Sequence, residues 1–234
     1  MTAPTELPAL LELDGVSRVY GEDVKVHALR EVSLRISAGD FLSIIGPSGS
    51  GKSTMLGLLG CLDLPTSGTV RIAGRDVGAL DDASRSALRG ESIGFVFQQF
   101  HLIPHLSAAA NVETALLFRG VKASDRRERA LAALEAVGLG NRADHRPAQL
   151  SGGEQQRVAI ARAIVINPLM VLADEPTGAL DSNNAAHVLQ IFRDLRSDER
   201  AVVIVTHDLQ VAATASRRVT MRDGQIVADE SLAA

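Results

Sequence analysis

Cysteine and tyrosine contribute one residue each to this chain of 234, tryptophan none, and lysine only Lys25, Lys52 and Lys122. The lone Cys61 excludes an internal disulfide and any cysteine-rich metal framework, and it suits a reducing compartment. No apolar run reaches the roughly 18 residues of a membrane span. The opening stretch MTAPTELPALLELDG lacks both a basic n-region and a long apolar h-region. The chain is therefore expected to remain in the cytoplasm. A formal net charge of −4 supplies no basic field for a nucleic-acid backbone, so DNA and RNA are not expected partners. No internal repeat or low-complexity linker occurs, and the length suffices for one large domain with a smaller subdomain folded into it.

What is present is organised around residues 46–54, GPSGSGKST, which follow the apolar run FLSII at 41–45. The segment fits G-x-x-x-x-G-K-[ST]. Gly46, Gly49 and Gly51, set around Pro47, Ser48 and Ser50, let the backbone turn its N–H groups inward to cradle a polyphosphate. Lys52 adds a point charge, Ser53 offers a hydroxyl to Mg²⁺, and a helix opening at Gly51 and running on through Thr54 aims its positive end at the same anion. The segment predicts binding of a nucleoside triphosphate.

Period-2 alternation over residues 10–19 and 28–36, broken at Gly15 and at the polar turn 21–23, predicts two antiparallel strands. Tyr20 lies between them, where a ring can stack on a base; a single tyrosine beside a turn is more commonly a packing residue. Further short strands are expected at 69–72, 93–97, 169–173 and 201–205, with a hairpin around Asp223-Gly224. Helices are expected over 51–61, 82–89 and 184–196, the second capped by Asp81 or Asp82. Between 98 and 166 the period turns helical, over 111–118, 124–137 and 151–166, separated by Gly120, Gly138, Gly140 and Pro147. The pattern predicts an α/β fold in one domain spanning 1–234. Its parts are a parallel-sheet core and an antiparallel β subdomain, over 10–97 and 167–234, with a helical insert over 98–166.

Hydrolysis needs a metal-side carboxylate and a group that orients or deprotonates water. Asp174 and Glu175 end the buried run 169–173, at the edge where ligands gather in an open parallel sheet. Asp174 is expected to hold Mg²⁺ and Glu175 to act as general base. His207 follows the run 201–205 and can reach a γ-phosphate from its own strand end. In LSGGEQ, residues 150–155, Ser151 and Glu154 satisfy the capping box S-x-x-E, which by itself means a well-capped helix start. The box does not account for Gly152-Gly153, since each glycine costs a helix about 1 kcal/mol relative to alanine. Two bare N–H groups there make a second phosphate-facing helix start.

Taken together these motifs resemble the ATP-binding subunit of an ABC transporter, over nearly the whole length. Tyr20 resembles the A-loop aromatic that stacks on adenine, residues 46–53 the Walker A and Gln98 the Q-loop glutamine. Residues 150–155 resemble the ABC signature, 169–174 the Walker B with Glu175 as its catalytic glutamate, 178–181 the D-loop and His207 the switch histidine. The wording of GPSGSGKST, GFVFQQFHLIP, LSGGEQQRVAIARA and LADEPTGALDS is similar to the lipoprotein-releasing and macrolide- or peptide-exporting branch, the MacB/LolD-like group. The sequence departs from that branch at Ala179, where asparagine is usual, and at Glu154, where glutamine is common.

The resemblance implies a P-loop NTPase (RecA-like) core and an ATPase that uses ATP and Mg²⁺. Ser53, Gln98 and Asp174 would serve the metal, and Ser151, Gly152, Gly153 and Glu154 would face nucleotide bound to a second copy. It also implies an integral membrane permease as partner, peripheral placement on the inner face of the membrane, and a loop 100–106 beside that permease. Phe100, Leu102, Ile103 and Leu106 could line a groove for a cytoplasmic helix or pack into the insert. A regulatory cassette that signals through a membrane partner is the second class. A soluble cassette of DNA repair or translation is the third, disfavoured by the absence of a long coiled coil or a second cassette.

Overall fold

The computed structural model describes residues 9–232; the first part of the stretch read for a leader, residues 1–8, lies outside them. The chain opens with strands β1 (Ala9–Tyr20) and β2 (Val26–Ser37), then β3 (Phe41–Ile45) feeds helix α1 (Lys52–Leu59). Strands β4 (Ser67–Ile72) and β5 (Arg75–Asp76) and helix α2 (Asp82–Ser92), capped by Asp81, lead to β6 (Ile93–Phe97). Helices α3 (Ala108–Glu113), α4 (Ala123–Ala136) and α5 (Gly152–Ile164) follow before β7 (Met170–Asp174). The chain ends through α6 (Ser182–Leu195), β8 (Ala201–Val205), α7 (Leu209–Ala212), β9 (Arg217–Arg222) and β10 (Gln225–Ser231).

Two sheets form. β2, β1, β4 and β5 make an antiparallel sheet in that order, and β10, β9, β3, β8, β7 and β6 make a six-stranded sheet. The latter is parallel from β9 to β6, with β10 added antiparallel at its edge. The central strands are continuous apolar runs because both faces are covered. Alternate residues take opposite sides: Val171, Ala173, Val202 and Ile204 join the core under α3, α4, α5 and α6, whereas Met170, Leu172, Val203 and Val205 join the core with α1 and the antiparallel sheet. Each of these side chains is at most 2% exposed, which at roughly 1.5–3 kcal/mol for a fully buried aliphatic side chain makes the two-faced sheet the main source of stability.

Two local expectations change. β1 is not broken at Gly15 but continues through it, with the register shifting between Leu13 and Val16. Gly15 takes φ 56°, the left-handed conformation that a bulge accepts from glycine, and its N–H is retained by Ser33 Oγ at 3.0 Å. The helix expected over 111–118 starts earlier, at Ala108 with Ser107 as cap, and tightens into a 3₁₀ turn over Thr114–Arg119. The side chain of Asn111 faces inward there, fully buried, and hydrogen-bonds the backbone of Ile103, Leu106 and Ser107, so it holds the preceding loop.

Candidate active site

The register of the parallel sheet brings the sequence motifs to one edge. Asp174 at the end of β7 pairs with Phe97 on one side and Val205 on the other, so Gln98, Asp174-Glu175 and Thr206-His207 leave three adjacent strands at the same level. Ile44 pairs with Val205, and the phosphate loop therefore leaves β3 beside them.

The loop has the geometry of an anion cradle. Gly46 takes φ 157°, and a side chain there would run into the Met221 carbonyl and Ser50 Oγ; Gly51 takes φ 98°, and a side chain there would press on Ala28 and Leu29. The first turn of α1 carries no side-chain cap, so its N–H groups remain available to a ligand. Lys52 Nζ donates to the carbonyls of Gly46 and Pro47 at 2.7 and 2.9 Å, which holds the cation over the loop. Ser50 Oγ is buried without a protein partner, as a cradle hydroxyl awaiting an acceptor is.

Asp174 and Glu175 occupy different surroundings. Burial raises the Asp174 carboxyl above the usual aspartate range, the charge of Glu175 adds to this, and Lys52 opposes it. Glu175 has φ 44°, an uncommon conformation for a side-chain-bearing residue, fixed by its N–H donating to Val205 O at 2.9 Å. Its carboxylate accepts from Thr206 Oγ1 at 3.0 Å, from the His207 N–H at 2.9 Å and from His207 Nδ1 at 2.6 Å. Gln98 is exposed, and its amide lies against Gly178: a side chain at that glycine would approach Nε2 to 2.8 Å.

Tyr20 does not stand free at the end of β1. Its hydroxyl donates to Asp63 Oδ2 at 2.6 Å, while the Arg18 guanidinium sits 4.5 Å over the ring and pairs with Asp63 at 2.7 Å. The residue as a whole keeps 39% exposure, and an aromatic ring at such a partly open position can stack on a base. Neither Arg18 nor Asp63 carried a signal in the sequence.

The signature forms the start of α5. Ser151 Oγ accepts from the Glu154 N–H at 3.3 Å and the Ser151 N–H donates to Glu154 Oε2 at 2.8 Å, a complete capping box. Glu154 also faces Arg142 at 3.3 Å; the backbone hydrogen bond from Ser151 is the largest cause that holds its carboxyl below the usual glutamate range. Gly153 is buried because a side chain there would strike Asn184 on α6, a packing reason the sequence did not disclose. Gly152 has no such neighbour: Leu180, Phe100 and Ala179 lie 3.7–4.0 Å from where its Cβ would be. No residue of the phosphate loop is among the nearest neighbours of either glycine.

Leu102 in the loop after Gln98 packs against the core under the helices, while Arg162 on α5 donates to the carbonyls of Phe100 and His101 at 2.9 and 2.6 Å. Gln156, also on α5, joins that helix to the ends of β6 and β7 and is a further site-associated residue not found by motif reading.

Comparison with known proteins identifies the family and the fold. The family model described as ABC transporter matches residues 29–178. The chain is 52% identical over 225 residues to macrolide export ATP-binding/permease protein MacB 1 of Yersinia pestis bv. Antiqua (strain Antiqua), covering 95% of this chain and 34% of that protein. It is 49% identical over 223 residues to MacB of Hyphomonas neptunium (strain ATCC 15444), covering 95% of this chain and 35% of that one. The chain thus spans about a third of the length of these relatives. Among solved structures, a dimeric post-hydrolysis state of the ATP-binding cassette MJ0796 bound to ADP and Pi superposes with a TM-score of 0.86 at 46% identity, covering 96% of this chain and 99% of that one. The fold is shared equally by cbiO1 from Clostridium perfringens, at a TM-score of 0.86, 24% identity and coverage of 95% and 88%. With the phosphate loop, the paired acids and the signature helix on one α/β scaffold, the chain belongs to the ABC transporter family and is one of its ATP-hydrolysing cassettes.

Proposed function

We propose that two copies of this chain close head to tail over ATP, the phosphate loop of one facing Ser151, Gly152 and Gly153 of the other, and that closure and reopening drive a membrane permease. The observation that carries this reading is the signature helix start. Ser151 is exposed, its Oγ accepts from the Glu154 N–H and so keeps its own proton to donate, and Gly152 is open to close approach. A donor-rich helix start of this kind suits an anion, and its nearest neighbours include none of the chain's own phosphate loop. The dimeric state of the MJ0796 cassette supports the same reading.

Within the closed site Lys52 exchanges its loop carbonyls for phosphate oxygens, and Tyr20 takes the base on the face that Arg18 leaves open. The donors fit Mg²⁺: the Ser53 hydroxyl, the Asp174 carboxylate and the Gln98 amide are hard oxygen ligands, few enough to leave places for phosphate and water. The raised Asp174 carboxyl is the local sign of that fit, since its charge is unfavourable until a cation is near. When bound, the ion supplies charge neutralisation at the phosphates. Glu175 orients and deprotonates the attacking water, and His207 contacts the γ-phosphate.

The permease is proposed to dock at a groove of about 1030 Å³ whose apolar lining includes Phe95, Phe97, Ala115 and Ile166, with Arg89, Arg119 and Arg162 among its polar residues. Arg162 connects this groove to the loop after Gln98, which suits transmission between partner and site. Among the described residues no helix is long and apolar enough to cross a membrane. Placement at the inner membrane face is proposed to come through that permease. Relatives named for macrolide export support an exported or extracted substrate of macrolide, peptide or lipoprotein type.

The test is Glu175→Gln. The variant is expected to bind ATP, lose about 10²-fold or more in turnover, and run as a dimer with ATP and Mg²⁺ by light scattering. A strictly monomeric variant at saturating ATP would contradict the shared site.

A further inference from the structure

The Gln156 side chain is 0% exposed and lies in the second turn of α5, the helix whose first turn is the signature. Its Nε2 donates to Pro176 O at 2.7 Å and, more weakly, points at Phe97 O at 3.4 Å. Pro176 directly follows Glu175, and Phe97 directly precedes Gln98. One buried amide thus ties the signature helix to the two segments that carry the water-orienting glutamate and the Q-loop glutamine.

The orientation of that amide is fixed. Reversing it would set Oε1 against both carbonyl oxygens, so Nε2 must face them even though this leaves Oε1 buried without a protein partner. The unsatisfied Oε1 costs free energy, so the contacts of Nε2 with Pro176 O and Phe97 O are what the amide gains at this position. α5 is a continuous helix from Gly152 to Ile164, so Gln156 and the first turn belong to one hydrogen-bonded segment. Gly153 packed on Asn184 closes the same unit from the α6 side.

We infer that Gln156 is a positioning residue that makes the two half-sites of one chain move as one body, so that the state of Glu175 and Gln98 at one ATP sets the placement of Ser151, Gly152 and Gly153 at the other. This rests on the proposed head-to-tail site. In that assembly the ATP contacted by a chain's own Glu175 and the ATP contacted by its signature are different molecules, and Gln156 lies on a short covalent and hydrogen-bonded path between them. It supplies the physical two-ended contact that coupling between sites requires.

The experiment compares ATP hydrolysis by the full chain and by Gln156→Met, which keeps the volume and removes the donor. Nucleotide affinity of the separate chain should stay within about twofold, because the phosphate loop is untouched. The Hill coefficient for ATP should fall from about 2 toward 1 and kcat by about tenfold. A role confined to packing would lower thermal stability and leave the Hill coefficient of the folded fraction in place, and that result overturns the inference. If Gln156→Met does not fold, Gln156→Asn, which keeps the amide but falls one methylene short, should show the same loss of cooperativity; an unchanged Hill coefficient in it overturns the inference equally. The Glu175→Gln dimer separates the two levels. Its absence contradicts the shared site, whereas its presence with an unchanged Hill coefficient in the Gln156 variant contradicts only the link.

Discussion

Glu175 and His207 are joined twice through one oxygen: Oε1 accepts from the His207 backbone N–H at 2.9 Å and from its ring Nδ1 at 2.6 Å. Thr206 Oγ1 engages the other oxygen at 3.0 Å, so the carboxylate is oriented by three donors from the end of β8. The histidine ring itself is largely exposed, with Nε2 as the nitrogen not used by this pair. The glutamate is thereby placed before any nucleotide arrives, and the histidine is both its holder and the group proposed to reach the γ-phosphate.

His207→Ala removes the ring contact but keeps the backbone N–H on Oε1. Turnover should fall by about 10²-fold, the usual scale for losing one group that serves proton transfer. ATP affinity should remain close to that of the unaltered chain. Single-turnover hydrolysis together with equilibrium nucleotide binding checks both; a loss confined to affinity would remove His207 from the chemical step.

Asp174 provides a prediction with a definite pH sign. Burial first, then the neighbouring Glu175 charge, raises its carboxyl in the fold, while Lys52 offsets part of the effect. A carboxyl raised above its unfolded value costs stability above the folded pKa and costs nothing below the unfolded one. Asp174→Asn should therefore melt higher than the unaltered chain near neutral pH without nucleotide, and the gap should close as pH falls into the ordinary aspartate range. Metal-dependent turnover should be lost in the same variant. Thermal melts across pH check the first statement; a gap that widens on acidification would contradict it.

Gly152 and Gly153 should separate on substitution. A methyl at Gly152 meets nothing closer than 3.7 Å, so Gly152→Ala should leave the single chain as stable or more so, by up to about 1 kcal/mol for Gly to Ala in a helix. Its turnover should nevertheless drop, because the methyl faces the approaching nucleotide. Gly153→Ala strikes Asn184 and should destabilise the single chain, an effect relieved in part by Asn184→Ala in the same chain. Denaturant unfolding and ATPase rate, measured side by side, distinguish the pair.

Much of the architecture was legible because it depends on local chemistry. Continuous apolar runs marked β3, β7 and β8, the Asp81 and Ser151 caps marked helix starts, and the glycine spacing of 46–51 marked a loop that no side-chain-bearing sequence could copy. Asp174, Glu175 and His207 could be grouped from the sequence because strand ends on a parallel sheet converge, and the register of β7 and β8 does set them side by side. What stayed hidden depends on contacts between segments far apart in sequence. Asp63 holds Tyr20 from 43 residues away, Gln156 reaches Phe97 across 59, and Gly153 is small because Asn184 of another helix lies on it. Gln156 carried no sign of its own, since Gln155 and Arg157 on either side of it are polar as well.

The shared site is tested most directly by complementation. One copy carries Ser151→Arg, which blocks its signature but leaves its phosphate loop; the other carries Lys52→Ala, which disables its loop but leaves its signature; both carry Glu175→Gln to prevent turnover. Neither variant alone should retain ATP in a dimer, whereas their mixture should form a dimer that retains a single ATP, bound between the intact loop of one copy and the intact signature of the other. A mixture that retains no more ATP than the two variants do separately would contradict a site built from two chains.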